Sequence, residues 1–157
     1  LRQLGRERRM KEALEPLLPH YDIVLIDTPP SLGLVTINAL VASDGVLIPM
    51  QTEYFALEGL ALLSGTIREV RTLLNEHLGV DGVLLTMHSQ TLLNQQVAGE
   101  LLETFPDLVV KPAIRRNVRL AEAPSHGVPI HLHDPTSAGG KDYQAIATVL
   151  ERRWGLV

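Results

Sequence analysis

The sequence predicts an α/β fold in which helices cover both faces of a parallel β-sheet. Short, uninterrupted apolar runs, typical of strands buried on both faces, alternate along the chain with longer helical stretches. Strands that alternate with helices favour right-handed β-α-β crossovers, which make successive strands parallel. A length of 157 residues and an apolar content of 45% are enough for one domain, which we expect to span residues 1–157.

The first part of the chain contributes a helix, a strand and a turn in that order. Apolar residues that recur every three or four positions predict an amphipathic helix over 6–18. The apolar run 21–27 ends in an acid and is predicted to be a buried strand. Two prolines follow it and predict a turn. Ser31 is predicted to cap the next helix, which continues through 36–41.

The remaining elements repeat this alternation. Strands are predicted at 45–50, 80–87 and 108–110, and helices at 56–74, 91–105 and 141–154. Residues 117–127 are predicted to form a short helix or turn that Pro124 and Gly127 bring to an end. In such sheets the chemistry gathers at the carboxyl ends of the strands. That rule directs attention to four places: Asp27, 51–53, 86–88 and 113–116.

Composition excludes several classes of site. The chain has no cysteine, so disulfides, thiolate metal sites and cysteine nucleophiles are excluded. No apolar run approaches the ~18 residues that a membrane span requires. Charge is unevenly distributed, since residues 1–11 hold five basic residues against one acid and residues 111–157 hold seven against four. The basic ends are compatible with an anionic partner, although solvated surface charge would give the same pattern.

Asp27 is the position whose chemistry is clearest. An acid at the end of a buried apolar strand is the arrangement in which a carboxylate holds Mg²⁺, through water, beside a nucleotide phosphate. An acid that only caps the following turn would look the same, and the spacing alone leaves both interpretations open. The run Gly139-Gly140-Lys141 is not a G-x-x-x-x-G-K-[ST] phosphate loop, because Pro135 and Asp142 stand where that motif needs Gly and Ser or Thr. We expect a helix entry with flexible glycines there.

Four ordered blocks carry a resemblance to a known family. They are YDIVLIDTPPSL at 21–32, PMQTEYFALEG at 49–59, TM at 86–87 and RNVRLAEAPSHG at 116–127, followed by DPTS at 134–137 and Tyr143. With these blocks the chain resembles the ParA/Soj-type chromosome and plasmid partitioning ATPases of the MinD/ParA superfamily. The first block resembles the Walker B and switch II segment of that family.

The resemblance implies a P-loop NTPase-like fold whose first strands and Walker A phosphate loop would precede Leu1. We therefore expect the chain to be the C-terminal portion of such a protein, unable to hydrolyse ATP alone and prone to aggregate in isolation. For the intact protein the resemblance implies ATP and Mg²⁺ as cofactors, although none is firmly expected for this chain alone. It further implies a homodimer in the ATP-bound state, non-specific DNA as a ligand, and a ParB/Spo0J-type partner that stimulates hydrolysis. The expected location is the cytoplasm, at the nucleoid and away from the membrane.

The resemblance also assigns residues to roles. Asp27 corresponds to the Mg²⁺-associated acid, and Thr28, Pro29 and Pro30 to the catalytic segment that senses the γ-phosphate. The implied nucleotide-binding residues are Thr86, Met87, Ala113, Ile114, Arg115, Arg116 and Asn117. The implied DNA-binding residues are Lys111, Arg115, Arg116 and Arg119. These four bases have no acid among them, which suits a phosphate backbone, whereas a solvated or salt-bridged surface is the plainer interpretation.

Some features depart from the family pattern or leave alternatives open. Gln90 stands where a DNA-contacting arginine is expected, and Arg115 stands where the family usually has Pro, which would restore part of the lost charge. A non-catalytic DNA- or partner-binding module derived from a ParA-like protein remains an alternative. A MinD-like membrane-cycling ATPase is disfavoured, because the C-terminal helix end is short and weakly amphipathic. His131 and His133 would share one strand face, where a metal site is possible but a plain surface strand is favoured.

Overall fold

A computed structural model describes residues 5–156 as seven α-helices and one three-stranded sheet. The helices are α1 (Arg9–Leu14), α2 (Leu34–Ala42), α3 (Ala56–Leu73), α4 (Leu92–Thr104), α5 (Val118–Glu122), α6 (Ile130–His133) and α7 (Ala138–Arg153). The strands are β1 (Gly45–Gln51), β2 (Gly79–Thr86) and β3 (Val109–Val110), in the order β1-β2-β3. Strands β2 and β3 are parallel, with Val83 opposite Val109 and Leu84 opposite Val110.

The chain divides into two compact units. One contains the chain up to Val46 together with Gly59–Asp81, and the other contains Leu47–Glu58 and the chain from Gly82 onward. We refer to them as unit 1 and unit 2. Unit 1 holds α1, α2 and most of α3, whereas unit 2 holds β3, α4 to α7 and the carboxyl ends of β1 and β2.

Two buried asparagines organise unit 1. The Asn38 side chain accepts a hydrogen bond from the Met10 backbone N–H (3.2 Å) and donates one to the Arg6 carbonyl (2.9 Å), which joins α2 to the start of α1. The Asn75 amide donates to the carbonyls of Leu40 (3.0 Å) and Ser43 (2.7 Å). Because the last carbonyls of a helix have no partner within it, Asn75 completes the C-terminal end of α2.

One apolar cluster forms the core of unit 2. Leu84 of β2 and Val110 of β3 pack with Ile114 and with Ile146 and Leu150 of α7. Leu47, Leu120, Val149 and Trp154 cover this cluster at its edge. The core therefore joins the sheet to the C-terminal helix and fixes the segment that contains Ile114 between them.

The predicted α/β fold with a parallel sheet is confirmed, and most elements fall where the apolar pattern predicted them. The strands predicted at 45–50, 80–87 and 108–110 and the helices predicted at 56–74 and 91–105 match to within one residue at each end. Helix α7 begins three residues before its predicted start at 141. The helix predicted over 6–18 is shorter, since only Arg9–Leu14 is α-helical and a 3-10 turn at Arg6–Arg8 precedes it.

The strand predicted at 21–27 is not formed. Residues 21–29 have no regular secondary structure, and Tyr21, Val24 and Leu25 are exposed. An apolar run becomes a buried strand only where neighbouring strands complete its hydrogen bonds and helices cover its faces. Within residues 5–156 the sheet consists of β1, β2 and β3, and none of them pairs with this segment.

The predicted cap at Ser31 is also wrong. Helix α2 begins at Leu34 and Gly33 is its N-cap, so Ser31 lies two residues outside the position from which a side chain caps a helix. Ser31 instead contributes its carbonyl, which accepts a hydrogen bond from the Thr36 hydroxyl (2.5 Å). Among the helices in residues 5–156, none is both long and apolar enough to cross a membrane.

Candidate functional site

The predicted magnesium and γ-phosphate segment, Asp27 to Pro30, lies in unit 1 on the surface. All four residues are exposed, and they precede α2 in an irregular stretch of chain. The Asp27 carboxylate has no hydrogen bond or ion pair with any residue of the described range 5–156. An exposed carboxylate without a protein partner is available to hold a cation through water, so the residue present fits the proposed ion.

The predicted nucleotide-binding residues lie in unit 2, and the structure brings their two segments together. The Ile114 N–H donates to the Leu85 carbonyl (2.8 Å), and the His88 N–H donates to the Ile114 carbonyl (3.0 Å). The Arg116 N–H in turn donates to the His88 carbonyl (2.9 Å). Thr86 and Met87 therefore lie beside 113–117 at the carboxyl end of β2, where ligands bind in α/β sheets.

Met87 makes the turn that ends β2. It is the one non-glycine residue in the described range with a positive φ (49°), a backbone conformation that side chains other than glycine adopt rarely. Such conformations concentrate at functional loops, where the surrounding structure holds them in place. Here the hydrogen bonds of Leu85 and His88 to Ile114 fix the chain on both sides of Met87.

Asn94 is a residue of this region that sequence reasoning missed. Its amide donates to the Thr52 carbonyl (2.6 Å), just after β1, and its side-chain oxygen accepts from the Ser89 backbone N–H (2.9 Å) and hydroxyl (2.5 Å). Asn94 therefore ties the end of β1 to the loop that follows β2. Its position three residues after the cap Thr91 was visible in the sequence, but its bond to Thr52, 42 residues away, was not.

Two buried polar atoms in the same region have no hydrogen-bond partner in the described part of the chain. They are the hydroxyl oxygen of Thr52, a residue that is 2% exposed, and Nδ1 of His88. Buried polar atoms normally find partners, because desolvation without a hydrogen bond is costly. The carboxyl ends of β1 and β2 therefore retain unused hydrogen-bonding capacity.

Two of the four predicted DNA-binding bases, Arg115 and Arg119, form ion pairs with acids within unit 2. Arg115 forms a bidentate ion pair with Asp142, in which Nε donates to Oδ2 (2.9 Å) and Nη2 donates to Oδ1 (2.7 Å). Arg119 donates to Glu122 (2.8 Å) and lies 3.6 Å from an Asp134 carboxylate oxygen. The expectation that Arg115 restores DNA-binding charge therefore meets a contrary observation, since its charge is already paired.

Lys111 and Arg116 differ from these two residues. All four bases are exposed, but neither Lys111 nor Arg116 has an ion pair with an acid of the described residues. Arg119 lies in the first turn of α5, where the Asn117 side chain caps the helix by accepting a hydrogen bond from the Arg119 N–H (2.8 Å). Hydrogen bonds thus hold the backbone of Arg115 and Arg116 within the segment 113–117 and of Arg119 two residues after it, whereas Lys111 precedes the segment by two residues.

Hydrogen bonds lower the pKa values of the two acids that lie near Arg119, namely Glu122 and Asp134. The hydrogen bond from Arg119 lowers the pKa of the Glu122 carboxyl, and the hydrogen bond from Thr136 is the largest cause of the lowered pKa of Asp134. His133 lies 3.6 Å from Glu122, and its ring stacks on that of His126 with centroids 4.8 Å apart. Arg119 therefore shares Glu122 with a second group that is cationic when protonated.

The interpretation of His131 and His133 as neighbours on a strand is wrong. Residues Ile130–His133 form the single turn of α6, with Pro129 as its N-cap. Pro129 favours the start of a helix, whereas the alternation His-Leu-His favours a strand, and the chain forms the helix. In the range that the structure describes, no group of three or more His, Asp or Glu side chains is placed to hold a metal ion.

Comparisons with known proteins agree with this arrangement. A family model described as an AAA domain matches residues 1–80, about half of the chain. The sporulation initiation inhibitor protein Soj of Bacillus subtilis (strain 168) is 54% identical over 145 residues, covering 92% of this chain and 57% of that protein. The chromosome partitioning protein ParA of Myxococcus xanthus is 48% identical over 152 residues, covering 96% of this chain and 54% of that protein.

A solved structure shows the same fold. It is the cobyrinic acid a,c-diamide synthase from Mycobacterium smegmatis with bound ADP and magnesium, which superposes with a TM-score of 0.78 at 32% identity. The match covers 98% of this chain and 56% of that one. The chain thus spans just over half the length of the proteins that it resembles.

Proposed function

Because the chain belongs to the AAA domain family of the ParA/MinD group, we propose that it acts in chromosome or plasmid partitioning as a Soj/ParA-like ATPase. In the intact form, ATP and Mg²⁺ would drive dimerisation, and the dimer would bind DNA without sequence preference at the nucleoid in the cytoplasm. A ParB-type partner would stimulate hydrolysis. Higher identity to the partitioning proteins than to the synthase favours this choice.

One observation carries the nucleotide-binding part of this proposal. The family resemblance assigns Thr86, Met87 and 113–117 to the nucleotide. These two segments are far apart in sequence, but Leu85 and His88, on either side of Thr86 and Met87, are hydrogen-bonded to Ile114 and Arg116. They lie at the carboxyl end of the strands, where α/β sheets bind ligands. The unpartnered polar atoms of Thr52 and His88 support a ligand site at the same edge.

Asp27 and the three residues after it are suited to two different roles in phosphate chemistry. Asp27 would hold Mg²⁺ through water, and the ion supplies charge neutralisation at the phosphates when bound. Thr28, Pro29 and Pro30 would respond to the phosphate state, because they join Asp27 to the start of α2. Two consecutive prolines restrict the backbone of this link, which suits a segment that transmits a change of position.

The charge pattern supports non-specific binding of DNA. A protein binds the phosphate backbone through exposed lysines and arginines, and each contact makes the affinity more dependent on salt. Lys111 and Arg116 are free for such contacts, whereas Arg119 would first have to leave Glu122. No aromatic side chain lies between positions 111 and 119, so base stacking is not part of this surface.

The DNA-binding part is tested by titrating a mixed-sequence duplex at several salt concentrations. We expect binding without sequence preference, and we expect Lys111→Gln and Arg116→Gln each to reduce the slope of log K against log salt by about 0.9. Arg71→Gln is the matched control, since it removes one exposed charge from α3. Absence of binding at low salt, or an equal effect of the control, would contradict the DNA-binding proposal.

A second candidate function is a non-catalytic DNA- or partner-binding module of the same origin. It needs only the basic surface, where Lys111 and Arg116 are exposed and have no ion pair with an acid of the described residues. Both candidates use the same basic surface and predict the same result with duplex DNA. They differ in whether the intact protein turns over ATP.

A further inference from the structure

The buried carboxylate of Asp142 binds the segment 113–117 through one of its residues, Arg115. Asp142 lies in the first turns of α7 and is 5% exposed. Its Oδ2 accepts hydrogen bonds from the backbone N–H (3.0 Å) and from Nε (2.9 Å) of Arg115, and its Oδ1 accepts one from Nη2 (2.7 Å). One side chain thus binds both the backbone and the guanidinium of Arg115.

The Asp142 carboxylate cannot lose its partner at low cost, whereas the Arg115 side chain is itself 54% exposed. A buried carboxylate is tolerated only when it is paired and hydrogen-bonded, and removal of one partner leaves an uncompensated charge. Within residues 5–156, Arg115 is the only base in an ion pair with Asp142. If the Arg115 guanidinium moved to a DNA phosphate, it would leave the Asp142 charge buried without a partner.

The pair is also the third attachment of the segment 113–117. Ile114 and Arg116, on either side of Arg115, make three backbone hydrogen bonds with Leu85 and His88. These bonds attach two residues of the segment to the end of β2, and Asp142 attaches a third residue, Arg115, to α7.

We propose that Asp142 is a positioning residue, which fixes the segment 113–117 through Arg115 and withholds the Arg115 guanidinium from DNA. The second half of this statement rests on the proposed DNA-binding function. The first half rests on the contacts of Asp142 alone. The DNA-binding charge of the segment 111–119 then belongs to Lys111, Arg116 and Arg119, and not to Arg115.

The variant Asp142→Asn tests the proposal in two independent measurements. It keeps the shape of the side chain but removes the charge that pairs with Arg115. We expect the slope of log K against log salt for a mixed-sequence duplex to become steeper by about 0.9, because one more cation reaches a phosphate. Amide hydrogen exchange at Arg115 and Arg116 should become faster, because the segment loses an attachment.

Two further variants separate this effect from general changes of charge or folding. Glu151→Gln removes one negative charge from an exposed position of the same helix, and it should leave both the slope and the exchange rates unchanged. The double variant Arg115→Gln/Asp142→Asn replaces the ion pair by two neutral amides. Its slope should equal that of the unaltered chain, since the additional cation is absent.

Each outcome decides part of the proposal. If the unaltered chain binds duplex DNA and Asp142→Asn does not steepen the slope, the charge half of the proposal is overturned and the DNA-binding function stands. If the unaltered chain does not bind DNA, the DNA-binding function and the charge half of the proposal both fall. Hydrogen exchange at Arg115 and Arg116 then decides the positioning half, which fails if Asp142→Asn leaves the exchange rates unchanged.

Discussion

Lys111 and Arg116 are exposed and have no acidic partner among the described residues, whereas Arg115 and Arg119 each bind an acid. The sequence predicted the basic cluster, because four bases without an acid between 111 and 119 are visible in one line. It did not predict that Arg115 is paired, because Asp142 lies 27 positions away and reaches it only in the folded chain. The pair of Arg119 and Glu122 could be predicted, since side chains three residues apart meet on a helix.

The contacts of Asp142 predict how stability depends on pH. Its hydrogen bonds from Arg115 lower the pKa of the Asp142 carboxyl below the ordinary value of about 4 that applies in the unfolded chain. A lowered native pKa means that the pair stabilises the folded state fully above that ordinary value. The stabilisation is lost as pH falls through the lowered native pKa. We expect the free energy of unfolding in urea to decrease over this acidic range.

In the Asp142→Asn chain the decrease should be smaller, because the titrating group is absent. Glu151→Gln should keep the full decrease, since Glu151 is exposed and has no ion pair with a described residue. Identical acid dependence in the Asp142→Asn chain and the unaltered chain would show that the Arg115 pair does not contribute. Urea titrations at a series of pH values between neutral and strongly acidic provide the measurement.

Elements were predictable where the local pattern alone decides them. Helices α3 and α4 lie within one residue of the bounds that the apolar pattern predicted, and neither needed knowledge of the rest of the fold. The run 21–27 has an equally clear pattern, yet it is exposed and irregular, because a central strand depends on neighbours that a sequence pattern does not supply. The glycines at 139 and 140 were expected to be flexible, but both are buried in the first turn of α7.

Gly140 gives a prediction for this element. A Cβ at Gly140 would lie 2.6 Å from the Asp134 carbonyl oxygen and 2.9 Å from that of Pro135, and neither backbone atom can move aside easily. We expect Gly140→Ala to lower the free energy of unfolding by about 1–3 kcal/mol through overpacking. Thermal and urea denaturation of the unaltered chain and the variant measure the difference.

Gly99→Ala is the matched control within α4, where a Cβ would meet no atom within 4 Å. It should stabilise the chain by about 0.5–1 kcal/mol, because alanine favours the helix interior more than glycine does. If Gly140→Ala were as stable as Gly99→Ala, the close approach between the start of α7 and residues 134–135 would not constrain position 140.

At the scale of the whole molecule, eight of the twenty large apolar side chains that are exposed among residues 5–156 lie between positions 17 and 35 in unit 1. They are Leu17, Leu18, Tyr21, Val24, Leu25, Leu32, Leu34 and Val35, of which Leu25 is 78% exposed. Exposed apolar side chains promote association where they form a contiguous patch. The tendency of the chain to aggregate in isolation stays a prediction.

The last prediction concerns ATP turnover by the 157 residues. Catalysis of phosphoryl transfer depends almost entirely on positioning and charge neutralisation, to which a phosphate loop contributes backbone N–H groups and a lysine. The chain has Asp27 and the segments 86–88 and 113–117, but it has no sequence of that kind. We therefore expect phosphate release from Mg²⁺-ATP by this chain, with or without duplex DNA, to equal that of its Asp27→Ala variant.

The full-length chromosome-partitioning ATPase Soj of Thermus thermophilus, which is 49% identical to this chain over 144 residues, is assayed in parallel and controls for the sensitivity of the measurement. Turnover by this chain that Asp27→Ala abolishes would contradict the prediction. It would also require that other donors cradle the phosphates, and the unpartnered Thr52 hydroxyl and His88 Nδ1 would be the first to test. Absence of turnover together with salt-dependent DNA binding would instead mean that these 157 residues carry the DNA-binding surface without the catalytic one, because the two depend on different segments of the chain.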